Sequence, residues 1–288
     1  MNIFEKILYM LQVEMSEPQA YGWFHLMWIA FTIIAITILF KKRKEYSEKQ
    51  LKTVLGTYGI VALVLEIVKQ IMWSFCYDPA TNMVTWDYQW YAAPFQLCTT
   101  PIFVSVICLF LKDNKIRKAL LSYMALVTIL GGFMTIIIPD DCLVSDILIN
   151  IHTMWLHCGS FVVSVYLLMS GAVKIEKQSL KDAIKAFIVF ILIAQVLNIT
   201  IYNSGILNGE TFNMFYISPY FISSLPVFDV IQQNVHYLLY LLIYIFALSM
   251  GAAIVYGIAS IVENIYNKFN KNENINENKQ INKQKISV

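Results

Sequence analysis

Two side chains in this 288-residue chain could together make a covalent acyl catalyst, Cys98 and His157. A thiol becomes a nucleophile when a neighbouring imidazole takes its proton; left among apolar groups it is an inert small hydrophobe. Asn198 and Gln195, spaced i, i+3, could orient such an imidazole as the amide does in Cys-His-Asn sites. Gln96, or backbone N–H groups opened beside Pro101, could stabilise an oxyanion. Pro101 cannot donate to the Leu97 carbonyl, so a kink is expected beside Cys98. A second group, Glu66 and Lys69, shares one helix face, either as an internal salt bridge or as a pair that holds a headgroup or relays protons. His25 and His152 complete the candidate substrate-binding residues. His152 and His157 point roughly 140° apart on a helix, so they do not form a metal-binding face. Five cysteines without a CxxC pair exclude the usual zinc and redox motifs. No metal and no cofactor is expected.

The elements that must position these groups are membrane spans. The composition is 58% hydrophobic and 14% charged, with a mean hydropathy of +0.60, whereas soluble domains run near a quarter charged. A net charge of +2 gives no reason to expect a nucleic-acid partner. Seven apolar stretches, at about 22–40, 54–76, 92–111, 119–138, 147–171, 183–203 and 235–262, are long enough to cross a hydrocarbon core of roughly 30 Å. The expected fold is an all-α polytopic membrane protein with seven transmembrane helices. Lys and Arg alternate along it. The loop from Lys41 to Lys52 carries six, loops 112–118 and 172–185 carry four each, and the tail after 262 carries five; loops 77–91, 139–146 and 204–234 carry none. Basic loops stay cytoplasmic, which places the N-terminus outside and the C-terminus inside.

Three domains follow. Residues 1–21 lack a small-residue cleavage site and read as an amphipathic segment on the outer surface. Residues 22–262 form the seven-helix transmembrane domain, without an internal repeat. Residues 263–288, rich in Asn and Lys, read as a disordered basic cytoplasmic tail. On this topology Glu66, Lys69, Gln96, Cys98, His152, His157, Gln195 and Asn198 all fall in the outer half of the membrane, converging on a polar chamber. Thr99, Thr100, Asn203 and His236 read as interhelical hydrogen bonding. The apolar loop 204–234 reads as a lid or a partly embedded segment over the chamber. Cys76 and Cys142 share the outer face and could form a disulfide. Gly131-Gly132, and Ala253 with Gly257, offer small surfaces for close helix packing.

Pro94-Phe95-Gln96-Leu97-Cys98, the Gly131-Gly132 helix ending at Pro139, Leu156-His157-Cys158-Gly159, and Asn198 with Tyr202-Asn203 together resemble the YwaF family of bacterial integral membrane proteins. The resemblance covers most of residues 22–260. Eukaryotic relatives of that family are membrane acyltransferases that build polyunsaturated ether phosphatidylethanolamines with a cysteine and a histidine matching Cys98 and His157. More distant relatives hydrolyse fatty-acid esters with Thr in place of Cys. The resemblance therefore implies a multi-pass protein of a bacterial cell membrane that handles phospholipid or lysophospholipid substrates, with Gln96 standing where the family commonly has His. The expected function is a lipid acyltransferase or lipid-ester hydrolase; the alternative is a transporter, lipid-binding protein or small-molecule sensor using the same chamber.

Overall fold

The computed structural model describes residues 2–42, 47–139 and 142–286, and the side chains of residues 42 and 269–286 lie outside it. Arg43 and Lys44 of the first basic loop are therefore outside the described residues. The elements run α1 (Ile3–Leu11), α2 (Trp23–Lys42), α3 (Glu48–Met72), β1 (Phe75–Asp78), β2 (Met83–Trp86), α4 (Thr100–Phe110), α5 (Lys115–Tyr123), α6 (Ile129–Ile137), α7 (Ile147–Met169), α8 (Lys177–Asn203), α9 (Phe228–Asn234) and α10 (Tyr237–Ile286). Among the described residues six helices are long and apolar enough to cross a membrane: α2, α3, the α5–α6 pair Lys115–Ile137, α7, α8 and α10 as far as Lys268. The chain is mostly helical, and its large lipid-type side chains (Ile33, Val64, Leu192, Leu242) face outward.

The third expected span, 92–111, takes another form. Only Thr100–Phe110 is helical, and its 11 residues reach about 16 Å at the rise of an α-helix. Two prolines account for this. Pro94 disfavours helical backbone at the residue before it, and Ala93 is extended at ψ 143°. Pro101 lies in the first turn of α4, where its missing N–H leaves no helical carbonyl unserved. Hence no kink forms beside Cys98; the helix simply starts after it.

The remaining departures are local. Residues 75–86 form an antiparallel hairpin that takes in the end of the second expected span as well as part of the expected loop, pairing Phe75 with Trp86 and Asp78 with Met83. Its turn is held by the Asp78 carboxylate, which accepts from Ala80 N and Thr81 Oγ1; these donors hold the Asp78 carboxyl below the usual range. Helix α1 opens with an Asn2–Glu5 capping box and lies on the hairpin through Phe4–Phe75 and Tyr9–Tyr77 edge contacts. Between α5 and α6 the backbone takes one π-helical stretch, Met124–Thr128, wholly buried. Thr128 Oγ1 and Ser164 Oγ both donate to the Met124 carbonyl there. The backbone of α10 continues as helix to Ile286 across the expected disordered tail; a helix already nucleated by 237–262 extends readily through Glu, Lys and Gln.

Close helix contacts sit beside, rather than always on, the small residues anticipated. A Cβ on Gly132 would lie 2.7 Å from the His157 carbonyl oxygen, so α6 and α7 touch backbone to backbone there. Gly131 and Gly257 meet nothing within 4 Å, while Gly251 lies against Leu130 and Gly159 against the Tyr58 ring. Gly132→Leu is expected to push α6 off α7 at a cost of about 1–3 kcal/mol, read as a lowered midpoint of thermal unfolding in detergent. Gly131→Leu should leave that midpoint nearly unchanged.

Candidate functional site

Three ionisable side chains meet in the bundle interior between α3 and α7. Glu66 takes Lys69 Nζ at 2.8 Å on one carboxylate oxygen and His152 Nε2 at 2.7 Å on the other. All three are buried, at 3%, 8% and 4% exposure. The i, i+3 spacing that suggested a pair on one face is what aligns Glu66 and Lys69; His152 arrives from the facing helix. Gln70 donates to Glu66 Oε1 and to the Ala92 carbonyl, both at 2.8 Å, and its own Oε1 accepts from Tyr88 OH at 2.9 Å. Burial and the nearby Glu66 carboxylate push the Tyr88 phenol up, which keeps it a donor. The result ties the strandless segment 88–92 to α3 through a charged cluster removed from water.

Cys98 lies in the turn ahead of α4, where Thr99 N–H donates to the Gln96 carbonyl and Gln96 N–H to Thr99 Oγ1. It is partly buried. The charges that act on it are those of Lys69 and Glu66, and Cys142 also lies within that reach. Tyr58, Tyr123, Tyr216 and Tyr244, from α3, α5, the 204–234 loop and α10, lie within electrostatic reach of the thiol. Tyr123 OH is bonded to Thr100 Oγ1 at 2.7 Å. In so buried a position the thiol needs a neighbouring base before it can act as a nucleophile.

His157 does not hydrogen-bond Cys98. Its Nδ1 meets Thr135 Oγ1 of α6 at 3.0 Å, and the group that acts on it electrostatically is His152. The two histidines thus face different partners, as their five-residue spacing requires. Nor does Asn198 orient His157. Asn198 donates to the Met214 carbonyl at 3.0 Å and accepts Met214 N–H at 2.7 Å. Gln96, expected at an oxyanion, is likewise engaged at both ends, donating to the Asn213 carbonyl at 3.0 Å and accepting Phe215 N–H at 2.8 Å. Amide side chains match a peptide's donor and acceptor together, and the peptide they found is the loop. Gln195 is not on His157 either; it approaches Tyr237.

That loop is embedded in the bundle. Residues 212–218 are buried in the bundle apart from Tyr216, and Tyr237 OH and Tyr240 OH donate to the Ile217 and Tyr216 carbonyls. Phe215 packs on Phe95 with ring centroids 5.7 Å apart. Phe215 and Tyr216 both hold left-handed backbone, φ 58° and 59°, a conformation that costs a non-glycine residue of order 1–3 kcal/mol.

His25 stands apart from the charged cluster. Its Nδ1 accepts Tyr21 N–H at 3.0 Å, and the Tyr21 ring lies edge-on to it, so it shapes the turn into α2. His236 is exposed at the start of α10, where Nδ1 accepts Leu238 N–H. All five cysteines are unbridged, Cys76 among them on exposed β1. Among the described residues no group of three or more His, Cys, Asp and Glu side chains comes together to hold a metal ion. Residues that spacing did not flag are Thr135, which holds His157, and the four tyrosines round Cys98. Tyrosine in an apolar helix reads as core or membrane belt, and a lone Thr bonding across helices has no local signature.

No curated protein and no solved structure matches the chain. The model of the TMEM164 family matches residues 19–260, which take in α2 through the apolar part of α10, the charged cluster, Cys98, His157 and the embedded loop. A match over most of the chain, on a fold with six membrane-length helices, places the protein: it belongs to the TMEM164 family and is a multi-pass membrane protein.

Proposed function

We propose that the protein transfers or hydrolyses acyl groups of membrane lipids, in a bacterial cell membrane, with Cys98 as the nucleophile. The observation that supports this reading is the placement of Cys98 just ahead of α4, with Lys69, Tyr58 and Tyr123 within electrostatic reach. In the proposed reaction the Cys98 sulfur bonds the acyl carbon of a phospholipid ester. The ester C–O bond breaks, and the thiol proton passes to the departing oxygen through His157 and a water. A lysolipid hydroxyl, or water, then attacks the thioester; the C–S bond breaks and the sulfur regains its proton. Catalytic hydrogen bonds often tighten only when substrate is bound, so His157 acts here from its Thr135-held position. Thr135, not Asn198, is its positioning residue.

The proposed arrangement in the membrane has seven crossings, the third made by irregular residues 90–99 followed by α4. The basic loops face the cytoplasm and the hairpin end faces out, with α1 lying on the outer surface and the chamber in the outer half. The test uses proteoliposomes containing a phospholipid with an alkyne-tagged acyl chain. Hydroxylamine-labile label on the protein is expected, absent in Cys98→Ala and reduced by about 10²–10⁴ in rate in His157→Ala. Label that survives Cys98→Ala, or none on the unaltered protein, overturns the reading.

A specific observation favours a second reading. Glu66, Lys69 and His152 satisfy one another deep in the bundle, as proton-relaying groups of a transporter or sensor would. Proton-coupled uptake lost in Glu66→Gln and indifferent to Cys98→Ala would support it instead.

A further inference from the structure

Because α4 begins only at Thr100, it does not run the full length of α3, whose last turns are packed by α7 on one side only. A cleft of about 300 Å³ opens there. Its walls are Leu63, Ile67 and Ile71 of α3, with Phe75, Pro94 and Phe103 opposite, and Glu66 and Gln70 line it on the inner side. The polar side-chain atoms of those two residues are already engaged with Lys69, His152, Ala92 and Tyr88, and the hydroxyl of Ser74, which also lines the cleft, donates to the Gln70 carbonyl. The cleft therefore offers an occupant almost nothing but hydrocarbon. It is also open sideways. It continues onto the α3 face where Ile60, Val64 and Ile67 are 54%, 54% and 52% exposed, a face that borders lipid in a membrane-spanning helix. Pro94 and Phe103 flank Cys98 in sequence, and Glu66 both lines the cleft and acts on Cys98.

We infer that this cleft is a lateral seat for one alkyl chain of a membrane lipid, admitted between α3 and α4 directly from the bilayer. The proposal rests on the lipid-acyl reading and gives it a direction: substrate reaches the thiol from the side, under the embedded loop, with its chain along Leu63 and Ile67. A water-soluble acyl donor would find no polar handhold there. The volume lies at the small end for a ligand site, which fits one chain and not a diacyl pair.

The test is photo-cross-linking in proteoliposomes of phosphatidylethanolamine and phosphatidylglycerol doped with a lysophospholipid bearing a mid-chain diazirine. Adducts are mapped by mass spectrometry. Cleft residues Leu63, Ile67 and Phe103 are expected to carry about tenfold more adduct than Ile33 and Ile34 of α2, the ratio given by a preference of about 1.4 kcal/mol; those two are well exposed, at 60% and 57%. Leu63→Trp, which fills the cleft, should bring its adducts down to the α2 level, while Ile60→Trp on the open face should not. Adducts spread evenly over exposed apolar residues would show ordinary surrounding lipid and overturn the proposal. Cys98→Ala should leave the map unchanged; a cleft-selective map on unaltered protein that takes no thioester label would show failure of the catalytic reading alone, and a Cys98-dependent label with evenly spread adducts would show failure of the seat alone.

Discussion

Glu66→Leu is expected to be the most damaging single substitution in the protein, costing about 3–5 kcal/mol of stability. The reason is what it leaves behind. Lys69 Nζ loses the carboxylate 2.8 Å away and His152 Nε2 loses its acceptor at 2.7 Å, and both are buried. An ammonium stranded in a bundle interior must lose its proton or draw water in, and either outcome loosens α3 against α7. Gln70 also loses one of its two acceptors. The measurement is the midpoint of thermal unfolding in detergent, followed by intrinsic fluorescence and by recovery as a monodisperse species. Removing the charge that was stranded should reverse most of the loss, because a buried ion pair replaced by apolar groups is often close to neutral. Glu66→Leu/Lys69→Leu is therefore expected to recover more than half of the deficit. A single variant as stable as the native protein would mean the three groups are hydrated and uncoupled.

The cluster also shows what a sequence can and cannot display. Glu66 and Lys69 declare themselves, since two opposite charges at i, i+3 in a 25-residue apolar helix admit few arrangements. The end of the bundle where polar groups gather was legible for the same reason: charge in a hydrophobic run is rare enough to read singly. The spans α2, α3, α7 and α8 follow from length and hydropathy alone. The third span misleads because residues 92–111 are apolar throughout, and hydropathy measures only whether a segment can sit in lipid, not whether it is helical. Pro94 and Pro101 carried the contrary signal. Pro101 was read inside a helix, as a kink, whereas a proline in the first turn marks a beginning. The amides failed differently. Asn198 was read as orienting His157 and Gln96 as an oxyanion donor because both lie at the depth of the polar groups, but depth is one coordinate. Which direction an amide faces is settled by the long-range packing of the 212–218 segment, and nothing local encodes that. Thr135 is the converse case, an unremarked residue brought to His157 by the Gly132 contact that lets α6 approach α7 so closely.

Asn198→Leu is expected to release the embedded 212–218 segment. The asparagine serves both polar groups of one residue, Met214 N–H and C=O, and Met214 is fully buried. Each backbone group left without a partner costs about 1–3 kcal/mol, and Leu has nothing to offer either. Two neighbouring residues, Phe215 and Tyr216, are held in left-handed backbone, so the strain already favours release once a staple is cut. Gln96→Ala acts on the same segment, freeing Asn213 O and Phe215 N–H. The open population then governs how often a reagent meets Cys98. In a Cys76→Ser, Cys142→Ser background, with Cys108 and Cys158 buried, the labelling rate of Cys98 by a bulky maleimide should rise at least about tenfold in either variant, the factor that 1.4 kcal/mol supplies. Labelling at the native rate in both would show that 212–218 is a fixed part of the core and that access to the thiol lies elsewhere, with the cleft between α3 and α4 as the route left open. A rise in Asn198→Leu that Gln96→Ala does not share would place the hinge at Met214 rather than across the whole segment, since only the asparagine grips both sides of that residue.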